Sequence, residues 1–294
     1  MNAICLRDVT RSFSGRPVLR GVSASAAAGR VVGLLGRNGE GKTTLLRILL
    51  DLLAADSGEA LVQGLRPDGS GAIRRRTGYV PERPAFHDFM RVAEVLELRR
   101  RLFPSWNEVR ARELCRRLGL DPASRVAAAS KGTLGKLAWV CAAAHEPDVF
   151  LLDEPTSGLD ALVREELLST LIAELHERGR TFLIANHRME ELAGVLDEVW
   201  VLSRGRLTVR DAQALRSGAR RVSGRLKPGA RVPAELAART LAQEGPLAEF
   251  AAFDEASARE LAGRLGLEDA SSRPLPFAET LKVLLREDGG GSHE

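Results

Sequence analysis

Short runs of Val, Ile and Leu alternate along this chain with stretches in which apolar residues recur every three or four positions. Residues 3–9 (AICLRDV) and 31–35 (VVGLL) have the length and composition of strands. Residues 148–153 (DVFLLD) and 181–186 (TFLIAN) are continuously apolar, as in a parallel sheet covered on both faces. Residues 43–53 (TTLLRILLDLL) are apolar on most faces and predict a buried helix. Leu168, Leu171, Ile172 and Leu175 keep the spacing of an amphipathic helix between the last two strands. This alternation argues an α/β fold built on a mainly parallel sheet.

The middle of the chain breaks the alternation. From about Arg91 to Ala144 the pattern is almost wholly helical, interrupted at 103–107 (FPSWN) and 119–122 (GLDP). It predicts a helical insertion, about 91–145, inside a sheet domain spanning 1–210. Beyond 201–207 (VLSRGRL), helical spacing recurs at Ala234/Ala237/Ala238/Leu241, Ala258/Leu261/Ala262/Leu265 and Phe277/Leu281/Leu284/Leu285. Short apolar pieces such as AEFAAF lie between them and predict a small α+β appendage over 211–288. The closing GGGSHE, 289–294, predicts a flexible tail.

Composition narrows this only a little. With 294 residues, 44% of them hydrophobic, the chain can bury the core of one large or two modest domains. A net charge of +4 suits an anionic ligand or a membrane face and gives no reason to expect nucleic acid. Cys5, Cys115 and Cys141 lack metal-ligand spacing and read as reduced thiols. The N-terminus lacks the basic start and apolar core of a signal peptide, and no segment approaches the ~20 apolar residues of a membrane span. A soluble, cytoplasmic chain is expected.

The candidate chemistry begins with GRNGEGKT, 36–43, between a predicted strand and a predicted helix. It matches G-x-x-x-x-G-K-[ST]. Gly36, Gly39 and Gly41 allow backbone N–H groups from Asn38 to Thr44 to converge on a phosphate, and the helix N-terminus adds its dipole. Lys42 would reach β- and γ-phosphates, and Thr43 would offer its hydroxyl to Mg²⁺. FLLDEP, 150–155, ends an apolar strand in two carboxylates. Strand alternation sends Asp153 and Glu154 to different faces, so different tasks follow. Asp153 fits the metal side, and Glu154 fits a general base or water-orienting group. A glycine-rich turn that binds nothing, or a strand ending in two solvated acids, would explain either motif alone. Together they argue a nucleoside triphosphatase.

Taken in order, these and further motifs resemble the ATP-binding subunit of ABC transporters over about the first 210 residues, and so imply the ABC ATPase version of the P-loop fold. The resemblance implies that Phe13, in RSFSG, stacks on adenine. Glu82, in GYVPERP, stands where the family has a glutamine near the metal. Residues 129–133 (ASKGT) align with the family signature and keep Ser130 and Gly132 for the γ-phosphate. Asp160 closes EPTSGLD, and His187, in IANHRMEE, is the switch histidine contacting the γ-phosphate. Individually, Phe13 also reads as a packed side chain, Ser130 as a helix N-cap, and His187 as a cap for the next helix. Together these matches imply ATP as substrate, Mg²⁺ as metal, and a homodimer (or a heterodimer with another cassette) across the nucleotide. Ser130 and Gly132 would then serve the partner's nucleotide, with Asp160 along the seam.

The resemblance also implies a separate transmembrane permease subunit that holds the chain on the inner face of the cell membrane. The SKG signature and YVPE segment resemble the export-type subfamily, and PLPFAETLKVLL is similar to the segment following its cassettes. Residues 81–106 would receive a short helix from the permease, with Phe86, Phe89 and Met90 as exposed anchors. The alternative is that these three pack within the insertion. Arg99, Arg100 and Arg101 read as a solvated helix face. A GTPase is disfavoured because no Asn-Lys pair exists, and a coiled-coil DNA-repair ATPase because no sustained heptad insert separates the loop from the carboxylates. A regulatory or sensing ATPase remains the competing reading.

Overall fold

The computed structural model describes residues 2–186, 189–230 and 232–287. Strands β1 (Asn2–Phe13) and β2 (Arg16–Ala27) form a hairpin, followed by β3 (Val31–Leu35), helix α1 (Lys42–Leu49) and β4 (Ser57–Val62). The short helix α2 (Ala72–Arg76) leads into β5 (Thr77–Val80). Helices α3 (Val92–Leu102), α4 (Glu108–Arg117) and α5 (Lys131–Ala143) come next. Then follow β6 (Val149–Asp153), α6 (Ala161–Arg178), β7 (Thr181–Ala185), β8 (Glu198–Ser203) and β9 (Arg206–Asp211). The C-terminal part comprises α7 (Ala212–Gly218), β10 (Arg220–Arg225), β11 (Thr240–Glu244), β12 (Leu247–Ala252), α8 (Glu255–Leu265), β13 (Glu268–Pro274) and α9 (Phe277–Glu287).

The central sheet runs β5-β6-β7-β3-β8-β9, parallel throughout except for β9 against β8. Every residue of β3, β6 and β7 is buried, as expected of central strands covered on both faces. Their side chains alternate between two cores. Val32, Leu34, Leu151 and Leu183 meet α1 and the antiparallel sheet β2-β1-β4. Val31, Phe150 and Phe182 meet α5 and α6, where Trp139, Phe150 and Phe182 stack with centroids 5.4 and 4.6 Å apart. This layering brings the carboxyl ends of β3 and β6 to one edge, the usual ligand edge of an α/β sheet.

Three local expectations change. α1 stops at Leu49, because Leu50 caps it and Asp51 takes a left-handed φ of 56°; Leu52 points outward. β1 extends to Phe13, since pairing with β2 on one side and β4 on the other supports a longer strand. The helical spacing over Ala234–Leu241 yields a 3₁₀ segment, Ala234–Arg239, and then β11, where Thr240 pairs with Phe250. Sheet pairing overrides the local period there.

α4 is tied to α6 by a buried ion triad. Glu174 accepts from Arg180 Nη1 at 2.7 Å and from Arg110 Nη2, and all three residues are buried. Removing the carboxylate would leave two guanidiniums short of their shared counter-charge. Glu174→Ala is therefore expected to cost about 3–5 kcal/mol, read as a lower urea midpoint. A change below about 1 kcal/mol would show that the arginines find other compensation.

Candidate functional site

The 36–41 turn is shaped by what cannot fit there. A Cβ on Gly36 would lie 2.7 Å from the Leu202 carbonyl oxygen, and Gly41, at φ 102°, would press on Val18. α1 then begins at Lys42 with no side-chain cap and no acid in its first turn. Its leading N–H groups and dipole are left to an anion. Lys42 is only 6% exposed. Its Nζ donates to the carbonyls of Gly36 (2.7 Å) and Arg37 (3.3 Å) and lies 3.5 Å from Glu154 Oε1.

At the end of β6, Thr43 Oγ1 donates to Asp153 Oδ2 at 2.8 Å. Asp153 Oδ1 is buried with no hydrogen-bond partner among the described residues. Burial raises the Asp153 pKa, the Glu154 and Glu82 charges add to the rise, and the Thr43 hydrogen bond and Lys42 oppose it. A buried, unpartnered carboxylate oxygen beside a hydroxyl fits Mg²⁺, a hard cation that takes few protein oxygens and fills its shell from phosphates and water. Glu154 diverges from Asp153 for a reason other than strand alternation. It adopts φ 50°, so the chain leaves β6 in a left-handed turn, with the Glu154 N–H donating to Ala185 O at 2.8 Å. A non-glycine residue held in that region is a strained feature that marks functional sites.

Phe13, Asn38, Gly39, Glu82, Asp153 and Glu154 share one cavity of about 430 Å³ with the residues from Gly41 to Thr44. Phe13 is 43% exposed, with the Arg11 guanidinium 4.9 Å from its ring centroid, so it is not a core side chain. Val18 and Arg37 also line this cavity. Sequence reasoning passed over both. Val18 arrives because β2 crosses the start of α1, a long-range contact with no local signal.

Ser130, Gly132 and Asp160 do not line the Lys42 cavity. Ser130 caps α5, accepting from Thr133 N at 3.1 Å, and Asp160 caps α6, accepting from Val163 N at 2.9 Å. Gly132 faces Val163, where a Cβ would come within 3.0 Å. Both capping residues remain exposed. His187 lies outside the described residues.

Of the three expected anchors, Phe86 and Met90 are half-buried against the main core, and only Phe89 is open, 78% exposed and stacked on His87. The arginine run divides as well. Arg100 and Arg101 pair with Glu97 at 2.6 and 2.7 Å, whereas Arg99 lies over the Phe103 ring. Arg99, Phe86 and Leu52 line a groove of about 320 Å³ between the end of α1 and helices α3 and α5. His145, also in that groove, is pushed down to about 4 by burial, partly offset by the main chains of Cys141 and Thr77. A histidine kept neutral in the fold stabilises it above the ordinary value of 6.5, and that contribution is lost as pH falls toward about 4. Stability should drop by on the order of 3 kcal/mol across this window. His145→Gln should flatten that slope in chemical-denaturation curves, and an unchanged slope would assign it to other groups.

A phosphate loop at a helix N-terminus, with its lysine facing two carboxylates from the parallel strand β6, one strand removed from β3, defines a P-loop nucleoside triphosphatase. The ABC transporter family profile matches residues 19–157. The ABC transporter ATP-binding protein YtrB of Bacillus subtilis is 32% identical over 69% of this chain and 70% of its own length. The sulfate/thiosulfate import ATP-binding protein CysA of Methylococcus capsulatus is 36% identical over 70% of this chain, which spans 62% of that protein. A solved ATP-binding subunit of an ABC transporter superposes with a TM-score of 0.66 at 27% identity, covering 73% of this chain and 92% of its own. The chain belongs to the ABC transporter family and is an ATP-binding, ATP-hydrolysing subunit with the ABC ATPase fold. Such subunits act with separate membrane components, and among the described residues no helix is long and apolar enough to cross a membrane. Because its relatives include an importer, kinship establishes the family and leaves the export-type assignment as a proposal.

Proposed function

We propose that this chain drives an exporter, hydrolysing ATP as a homodimer, or as a heterodimer with another cassette, beneath a transmembrane permease at the inner face of the cell membrane. The observation that carries the catalytic part is the buried Lys42–Glu154 contact beside the Thr43–Asp153 hydrogen bond. Lys42 exchanges loop carbonyls for the β- and γ-phosphates of ATP, while Asn38 through Thr44 supply N–H groups and Phe13 takes the adenine. Thr43 and Asp153 would hold Mg²⁺ with Glu82 nearby, and the bound metal would neutralise charge on the phosphate oxygens. Glu154 orients and deprotonates the attacking water. His187 is assigned to the γ-phosphate on its sequence position alone. Because Ser130, Gly132 and Asp160 lie away from the chain's own cavity, they serve the partner's nucleotide. We take 1–210, with its helical part at 91–145, as the ATPase domain, 211–288 as an accessory domain and 289–294 as a tail. The SKG and YVPE segments, with PLPFAETLKVLL leading into α9, support the export direction.

The permease docks at the groove beside residues 81–106. Phe89 is the clean probe, since it is 78% exposed and stacks on His87, itself exposed, rather than on the core. Phe89→Ser should change the unfolding free energy by no more than about 0.5 kcal/mol, the range of surface substitutions. Co-purification with the permease should fall sharply. Wild-type recovery of the complex would refute this docking site. Export itself is tested by whether ATP drives a substrate into everted vesicles or out of right-side-out ones.

A further inference from the structure

We propose that the 211–288 region is a positioning element for hydrolysis: Arg216 and helix α9 clamp residues 189–196 behind the nucleotide site, so ATP turnover depends on them and ATP binding does not. This rests on the reading above that gives His187 and the 154–160 turn a part in hydrolysis. Residues 189–196 begin as a 3₁₀ turn, Met189–Leu192, and lead into β8.

On the site side, this segment is fitted to β3 and tied to the 154–160 turn. A Cβ on Gly33, in β3, would lie 2.9 Å from Met189 Sδ and 3.2 Å from Leu196 Cδ2. Arg164 Nη1 lies 3.5 Å from Glu191 Oε1, while its Nη2 donates to the Leu159 carbonyl at 2.8 Å, just before Asp160. Met189 also follows His187 by two residues, so a shift of one is passed along the chain to the other. The phosphate loop is held separately, by the Lys42 bonds to Gly36 and Arg37 and by the fit of Gly36 against the Leu202 carbonyl. Binding therefore survives when the clamp is loosened.

On the far side, the accessory region closes over the same segment. Arg216 Nη2, in α7, donates to the carbonyls of Ala193 at 2.6 Å and Leu196 at 2.7 Å. Its guanidinium sits 4.6 Å from the centroid of the Phe277 ring in α9. Hydrogen bonds from a charged donor are the strong ones. Leu281 and Leu284 of α9 are buried in one core with Met189, Leu192 and Leu196, and Lys282 Nζ lies 3.7 Å from Glu190. Other α9 residues belong to the accessory sheet: Val283 packs with Ala219 and Ala251, and Glu279 accepts from Arg221 of β10. One helix is thus shared by two cores, and close-packed interiors transmit displacement. Arg216 does not line the nucleotide cavity, so it acts only through the segment it holds.

The test measures ATP affinity and kcat separately in full-length variants. Arg216→Met keeps an unbranched apolar stem and loses both donated bonds. Its Kd for ATP should stay within about twofold of wild type. Its kcat should fall by roughly ten- to hundredfold, the upper end matching a misplacement of about 1 Å caused far from the chemistry. Arg216→Lys retains a cationic donor and should recover part of the rate. If Arg216→Met misfolds, the exposed Lys282 carries the comparison. Lys282→Glu sets like charges against each other at Glu190 and should lower kcat by roughly two- to fivefold, and adding Glu190→Lys should restore it. Wild-type kcat in the folded variant, or a loss of ATP affinity as large as the loss of kcat, overturns the clamp. His187→Ala, assayed alongside, keeps the two readings apart. Turnover lost there and intact in the α7 and α9 variants refutes the clamp alone; normal turnover there refutes the switch assignment on which the clamp rests.

Discussion

Glu154→Gln is expected to bind ATP at near wild-type affinity, hydrolyse it at least ~10²-fold more slowly, and accumulate as a dimer. The substitution preserves what positions the residue: the left-handed turn at φ 50° and the main-chain bond to Ala185 do not depend on the side chain. An amide keeps the shape of the carboxylate and loses its basicity. It also removes the charge that faces Lys42 at 3.5 Å, so the ammonium is more available to phosphate and affinity should not fall. With hydrolysis blocked, two chains closed over ATP cannot reopen by turnover. Single-turnover phosphate release tests the rate, and light scattering in ATP against ADP tests the dimer. Normal turnover would remove Glu154 as base and make Glu82, in the same cavity, the first suspect. A chain that stays monomeric in ATP even with the permease present would defeat the dimer.

Lys42→Ala should abolish turnover and weaken ATP binding by roughly ten- to hundredfold, the span of losing a charged hydrogen bond. Lys42 is the positive centre of the loop, and in the nucleotide-free chain it already satisfies the carbonyls of Gly36 and Arg37. Alanine leaves those carbonyls without their donor and removes the cation beside Glu154, so the loop loses its phosphate charge and part of its rigidity together. Lys42→Arg should rescue little. A guanidinium is longer and planar, and the cavity around Nζ is closed by Glu154 and the loop itself. Nucleotide titration and steady-state hydrolysis check both variants; hydrolysis at the wild-type rate in Lys42→Ala would remove the basis for the whole site.

The sequence by itself determined the contiguous chemistry of this protein. Val31–Leu35 and Val149–Leu152 carry no polar side chain, so a central, doubly covered strand suits them, and GRNGEGKT and Asp153-Glu154 follow directly at their ends. Loops of that kind are legible because their function depends on backbone freedom and residue type within a few positions. Features that need distant partners were not legible. Phe86, Phe89 and Met90 look alike in sequence, yet only packing against α5 and its neighbours hides the first and third and leaves Phe89 open. The helical spacing through Leu241 gave way to β11 because a strand with an available neighbour gains ladder hydrogen bonds that a lone turn of helix cannot match. Asp153 and Glu154 were expected to part by strand alternation, whereas a left-handed turn, held by a bond to the neighbouring strand, parts them. Val18 reaches the nucleotide cavity through an approach across tens of residues. A local pattern reports which face of an element is apolar; which surface that face finally meets is decided only when the whole chain is packed.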